Sequence, residues 1–205
     1  MSNPIIVSLP VNVNMDRINH AIKVLQEVVN HGYKFNLNSW FTDHQDINAF
    51  ANAIESNDME AIHKCGTAAC VLGWVATTPE FKEAGGSVDV HTFSVTIKFN
   101  NYRGMEAGIA WFGDNAIAPA LFPGSCEFNN DDDDGMAGRL VGAGGSDVAN
   151  LVNDINNELF VSAYKLHIDD PLDDVAYADI TAQEALDVFV HIRDTGCIKL
   201  AVLTA

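Results

Sequence analysis

The most reactive side chains of this sequence lie in one short segment, HKCGTAACVLGW, which runs from His63 to Trp74. A thiol at the start of a helix lies beside unsatisfied backbone N–H groups and the positive end of the helix dipole, and both favour the thiolate. If a helix begins at Cys65 or Gly66, Cys65 is a candidate nucleophile and His63 is a candidate base beside it. Such a pair would act on a thioester, an amide or a peptide bond.

The same segment has a structural interpretation, and this is the one that we favour. Cys70, Gly73 and Thr77 lie on one helical stripe of small side chains, which suits close packing of a helix against its neighbour. Cysteine is also among the residue types most often found buried. We therefore assign no catalytic residue and expect four residues of the segment to be structural: Cys65, Cys70, Gly73 and Trp74.

Two patterns of potential metal ligands are incomplete. His63, Cys65 and Cys70 offer three ligands for zinc, but a structural zinc site usually pairs two knuckles, and the other cysteines are scattered singly. Residues 130–135 (NDDDDG) begin like a calcium loop, yet Val141 occupies the position of the bidentate glutamate. We expect no metal and no other cofactor.

An acidic and glycine-rich segment over residues 124–146 is predicted to be a long loop that carries the binding site. Its carboxylates suit lysines and arginines of a partner, where they raise the association rate and select the partner. Its GAGGS run resembles an anion-binding turn, but no lysine follows, so a hinge is the favoured interpretation. The predicted binding residues are Asp131, Asp132, Asp133, Asp134, Gly144, Gly145 and Ser146.

The chain as a whole is strongly acidic, with 28 Asp and Glu against 11 Lys and Arg in 205 residues and a formal net charge of −17. Nucleic-acid binders depend on clustered lysine and arginine, so we expect no direct binding to nucleic acid. The charge favours a host protein with a basic surface. A small anionic molecule would need a local basic patch, for which the candidates are Arg103, Arg139, Lys165 and Arg193.

Length and hydropathy predict one folded domain over residues 1–205. The longest apolar stretch, residues 68–76, is far shorter than the roughly 20 residues of a membrane-spanning helix. The first residues have no basic region ahead of their short apolar stretch and no cleavage site, so we expect a cytoplasmic protein without a membrane anchor. Four cysteines are too few for a disulfide framework and are expected to be thiols.

The spacing of apolar residues predicts the elements that position these side chains. Asn14 and Gly32 bound a first helix, and a capping box, TAQE, opens the last one, which Gly196 ends. Further helices are predicted over 46–56, 67–77, 104–112, 116–122 and 147–159, with extended segments over 4–13, 93–99 and 197–203. This mixture predicts an α+β fold, a helix-rich single domain with a small sheet of two or three strands.

Four pieces of the sequence occur in a familiar order: FNLNSW at 35–40, HKCGTAACVLGW at 63–74, a helix with LF at 107–122, and TAQEALDVFVHIRDTG at 181–196. This order resembles a widespread group of small bacteriophage and bacterial proteins with a Cys-Gly-Thr-x-x-Cys-x-x-Gly-Trp core. The resemblance covers most of the chain, and its specific part is residues 65–74. It implies a phage origin and carries over no catalytic role.

These observations predict a phage accessory protein that binds a host protein through an acidic surface and so interferes with a host process, such as a defence system. Two alternatives stay open. One is a homo-oligomeric sponge that sequesters a small, nucleotide-type signalling molecule. The other is a hydrolase that uses Cys65 and His63.

Overall fold

A computed structural model describes residues 5–37, 39–42, 46–91, 94–121, 159–164 and 179–204. The helices are α1 (Met15–His31), α2 (Ile47–Ser56), α3 (Met59–Lys64), α4 (Val71–Ala76), α5 (Pro79–Glu83), α6 (Gly104–Phe112), a 3₁₀ turn (Asn115–Ile117), α7 (Ala118–Leu121) and α8 (Ala182–Thr195). The strands are β1 (Ile5–Pro10), β2 (Gly86–His91), β3 (Ser94–Phe99), β4 (Tyr102–Arg103), β5 (Leu159–Ser162) and β6 (Cys197–Thr204). The α+β prediction is confirmed, but the described strands form two antiparallel sheets where one was expected.

The long helices α1 and α8 begin and end where their capping residues predict. The Asn14 side chain accepts hydrogen bonds from the backbone N–H groups of Asp16 and Arg17, and Gly32 ends α1 in the left-handed region. Thr181 and Glu184 form the predicted capping box at the start of α8, and Gly196 ends that helix. The two helices pack against each other.

The first sheet has the strand order β1-β6-β5. Its inner face carries Leu9 opposite Ile198 and Val7 opposite Leu200, and both β6 residues are buried. β1 lies at the edge, where Pro10 ends the strand without removing a hydrogen bond from the middle of the sheet. The helix predicted over 147–159 falls outside the described residues except for Leu159, which is instead the first residue of β5.

The second sheet has the order β2-β3-β4. The strand predicted over 93–99 is β3, and residues 86–91, for which no strand was predicted, form β2 and pair with it in a hairpin. In it Val88 pairs with Ile97 and Val90 with Val95. Alternation reports only which side of a strand is apolar, so the pattern alone did not reveal the reversal of chain direction.

Buried side chains from most of the elements form one apolar cluster. Ile18 of α1, Phe50 of α2, Trp74 of α4, Phe112 of α6 and Phe189 of α8 all belong to it and are 0% exposed. Burying large apolar side chains of this kind stabilises a fold by roughly 1.5–3 kcal/mol each. Within the described ranges, no helix is long and apolar enough to cross a membrane. The predicted loop at 124–146 lies outside those ranges.

Candidate functional site

Cys65 lies at the end of a helix, where we had considered it at the start of one. It is the C-terminal cap of α3, and its backbone N–H donates to the carbonyl of Ala61 over 3.0 Å. The C-terminal end of a helix carries partial negative charge, which opposes a thiolate. The electrostatic reason for treating Cys65 as a nucleophile is therefore absent.

Cys70 is the cysteine that stands at a helix start. It caps α4, and its Sγ accepts a hydrogen bond from the backbone N–H of Gly73 over 3.4 Å. The side chain is completely buried, and this burial raises the pKa of the thiol to about 12. At neutral pH Cys70 is thus a neutral thiol with a structural contact, as the favoured interpretation of the segment expected.

The helix predicted over 67–77 begins only at Val71, because the preceding residues are extended. Ala68 and Thr42 exchange backbone hydrogen bonds of 3.1 and 2.8 Å, and the amide of Cys70 donates to the carbonyl of Ser39 over 3.1 Å. These backbone hydrogen bonds hold the Cys65–Trp74 motif against the segment 39–42. Pro79, two residues beyond the predicted end of this helix, is the first residue of the next helix, α5.

Gly73 allows this segment to approach α4 closely. A Cβ atom built at this position would overlap the carbonyl oxygen of Trp40 and lie 2.9 Å from the Cβ of Ala69. Both obstacles are part of the backbone or fixed directly to it, so neither can rotate away. The glycine of the Cys-x-x-Gly-Trp pattern is required by packing.

Trp74 and His63 meet at the backbone of Lys34. The indole Nε1 of Trp74 donates to the Lys34 carbonyl over 3.2 Å, and Nδ1 of His63 accepts from the Lys34 amide over 3.3 Å. In the part of the chain that the structure describes, no hydrogen bond links His63 to Cys65. His63 and Cys65 are thus close in sequence, but no hydrogen bond of the described structure couples them as a base and a nucleophile.

Tyr33 is a residue that our sequence reasoning missed. Its ring lies 5.6 Å from that of Trp74, 5.0 Å from that of His63 and 5.3 Å from that of His31, measured between ring centroids. The signal in the sequence was the position of Tyr33 directly after Gly32. A residue that follows a left-handed helix end commonly packs against the last turn of that helix. Tyr33, with these three rings, forms a fixed aromatic platform.

A groove of about 560 Å³ opens beside this platform, and we call it the Tyr33 groove. Tyr33 and Asn57 line it together with three carboxylates: Glu27, Asp58 and Glu60. Partial burial raises the pKa of Tyr33, and the negative charges of the same three carboxylates raise it further. The field in the groove is thus negative, and it disfavours an additional anion.

A second cavity, of about 510 Å³, lies between α8 and the first sheet. Its apolar part includes Ile6, which is 60% exposed, and Leu200. Of the described residues, two carboxylates, Glu184 and Asp187, line it together with Lys199 and His191. This balance of charge favours a neutral or cationic occupant over a phosphate-bearing one.

The predicted binding residues, from Asp131–Asp134 to Gly144, Gly145 and Ser146, lie outside the described residues, and so do Arg139 and Lys165. Of the remaining candidates for a basic patch, Arg193 pairs with its neighbour Asp194 over 2.7 Å. The described ranges contain no group of three or more His, Cys, Asp or Glu side chains arranged to hold a metal ion.

Comparison of the chain with protein-family models, with curated proteins and with solved structures finds no match. The resemblance to phage and bacterial proteins with the Cys-Gly-Thr-x-x-Cys-x-x-Gly-Trp core therefore stays a prediction from residues 65–74.

Proposed function

We propose that this protein is a cytoplasmic phage accessory protein that binds a host protein with a basic surface and thereby interferes with a host process, such as a defence system. The single observation that carries the proposal is the acidic charge, −17 over 205 residues. Opposite charges on two proteins steer their encounter and select between partners. The phage origin rests on the resemblance alone.

The distribution of charge along the chain supports binding through particular surfaces. Residues 122–178 carry twelve acidic and two basic side chains, and this segment includes the four aspartates Asp131–Asp134. The remainder of the chain carries sixteen acidic and nine basic side chains. More than half of the net charge thus belongs to little more than a quarter of the sequence, which we propose as the main contact with the partner.

The chemistry of the Cys65–Trp74 motif supports a binding function over the hydrolase alternative. Cys65 lies at the negative end of α3, Cys70 is a buried neutral thiol, and His63 is engaged by the backbone of Lys34. We expect Cys65→Ser to leave partner binding unchanged. Rapid, pH-dependent alkylation of Cys65 by iodoacetamide in the folded protein would instead favour the hydrolase.

A small-molecule sponge is the second candidate, and the cavity beside α8 is the observation that favours it. Its volume of about 510 Å³ suits a small ligand. Glu184 and Asp187 make a nucleotide-type anion a poor fit, so this function would require a ligand without phosphate groups or a different site.

Native mass spectrometry after incubation with host lysate distinguishes these functions. One aliquot of lysate is used directly, and a second is boiled and filtered before use. The proposed function predicts a mass increment of protein size that is absent with the boiled aliquot. A small increment that survives boiling would contradict it and favour the sponge.

A further inference from the structure

We infer that His20 forms an acid-sensitive contact between α1 and the start of α5. At neutral pH the imidazole is neutral and donates to Thr78 through Nε2, and on protonation it pairs with Glu80 through Nδ1. His20 belongs to α1, Thr78 is the N-terminal cap of α5, and Glu80 lies in the first turn of α5. The contact is made by described residues, and it does not depend on the identity of any partner.

The hydroxyl of Thr78 determines which nitrogen of His20 carries the proton. Oγ1 of Thr78 donates to the carbonyl of Val75 over 2.7 Å, because two oxygens this close without a proton between them would repel each other. Threonine has one hydroxyl proton, so the 2.9 Å contact between Oγ1 and Nε2 of His20 needs a proton on the imidazole. A neutral imidazole carries a single proton, and Nδ1 is therefore unprotonated.

The same hydroxyl caps α5. Oγ1 of Thr78 also accepts from the backbone N–H of Phe81 over 3.4 Å, so its two lone pairs serve Phe81 and His20. Phe81 is 0% exposed, and its ring centroid lies 4.9 Å from that of Trp111. His20 thus supports the cap of a short helix that places an aromatic ring in the apolar cluster.

The unprotonated nitrogen of His20 faces a carboxylate. Nδ1 lies 3.9 Å from Oε1 of Glu80, which is too far for a hydrogen bond. The side chain of His20 is 15% exposed and that of Glu80 is 61% exposed, so rotation of the exposed glutamate can close the gap. Protonation gives Nδ1 a hydrogen, and the contact then becomes a charge-assisted hydrogen bond.

The other groups packed around the imidazole oppose its protonation. Burial has the largest effect and lowers the pKa of His20; Glu80 raises it, and Lys23 of α1 lowers it. On α6, the indole of Trp111 lies 6.4 Å from the imidazole between ring centroids, and the guanidinium of Arg17 lies 4.4 Å from an indole ring centroid. Protonated His20 would be a second cation beside that indole. The pKa of His20 is therefore below its ordinary value of 6.5, and Glu80 limits the fall.

Long-range proton–nitrogen NMR correlations of the histidine rings test the proton position and the pKa together. We expect the Nε2–H form of His20 above its pKa, and a pKa below 6.5 that falls by about a further 0.5 in Glu80→Gln. Glu83→Gln removes an exposed carboxylate from the same helix and should leave this pKa unchanged. The Nδ1–H form, or an equal pKa in wild type and Glu80→Gln, would overturn the proposal.

The lowered pKa also makes stability depend on acid pH. The folded state binds the proton of His20 less tightly than the unfolded state does. The contribution of His20 to stability is therefore complete above pH 6.5 and is lost as the pH falls towards the folded pKa. Glu80→Gln lowers that pKa, so it should enlarge the fall in the urea midpoint between about pH 7.5 and about pH 5.5. His20→Gln offers an N–H donor to Thr78 but cannot be protonated, so it should reduce the fall.

The two variants move acid stability in opposite directions, which a loss of packing alone would not produce. Glu83→Gln is again the control and should match the wild type. An unchanged pH dependence in either Glu80→Gln or His20→Gln would overturn the proposal. If His20→Gln does not fold, Glu80→Gln and the NMR measurement on the wild type decide the outcome.

Discussion

Gly73, Cys70 and Trp74 explain the Cys-x-x-Gly-Trp pattern without any catalysis. The sulfur of Cys70 caps α4, Gly73 gives the Trp40 carbonyl room, and Trp74 fixes the backbone of Lys34. These contacts depend on atom size and on single hydrogen bonds, so each residue type is required where it stands. The same contacts hold Tyr33 and His63 in place as part of the aromatic platform.

Gly73→Ala is expected to destabilise the protein strongly. The new Cβ overlaps the Trp40 carbonyl, and relief requires α4 or its neighbour to move, at a cost of about 3 kcal/mol. Urea unfolding measures this change. Gly32→Ala is the comparison: its Cβ meets nothing within 4 Å, so only its left-handed backbone is strained, and the loss should be about 1 kcal/mol. Similar losses in both variants would contradict the packing role of Gly73.

Burial of Cys70 makes stability depend on alkaline pH. The pKa of this thiol is about 12 in the folded protein, above its ordinary value of 9.0, so the folded state holds the proton more tightly than the unfolded state. The resulting stabilisation is complete below pH 9.0 and is lost as the pH rises towards 12. Urea unfolding at pH 8 and pH 10 (~2 pH units apart) should show a fall that Cys70→Ala reduces and Cys65→Ser does not. An equal fall in Cys70→Ala would refute this origin.

Capping residues determine where α1 and α8 begin and end. Asn14, Gly32, Thr181 and Gly196 are visible in the sequence and occupy those positions in the structure. Such signals act locally, so the bounds of these helices need no knowledge of distant contacts.

Thr181→Ala is expected to lower the free energy of unfolding by about 1 kcal/mol, because it removes the oxygen that accepts from the Glu184 amide over 3.2 Å. Urea unfolding is the measurement. Gln183→Ala changes an exposed side chain of the same turn and should cost less than about half as much. Equal losses in these two variants would show that the capping box contributes little.

Elements that depend on distant partners were not predictable in the same way. Residues 67–70 are extended because Thr42 and Ser39 offer backbone partners, and no local signal opposes a helix there. β3 was predicted and β2 was missed for a related reason, since strand pairing is a tertiary property. The α+β class could be predicted. The Tyr33 groove could not, because it forms where the ends of α1 and α2 meet.

The molecule as a whole combines the aromatic platform around Tyr33 with a large excess of negative charge. The apolar cluster supports the helices that carry the Tyr33 groove, while residues 122–178 hold most of the net charge. In this account the acidic segment steers the partner towards the protein. This attraction is electrostatic, so salt should weaken it, because exposed charges are screened beyond about 10 Å at 0.1 M ionic strength.

The most direct test of binding to a basic host protein is native mass spectrometry of lysate complexes formed at low and at high ionic strength. Wild-type protein is compared with a variant in which Asp131, Asp132, Asp133 and Asp134 are all replaced by Asn. We predict that the wild type captures a basic protein at low salt, that high salt removes it, and that the variant captures far less while its melting temperature is nearly unchanged. Capture that is insensitive to salt and equal in the two proteins, or no capture at all, would contradict the account.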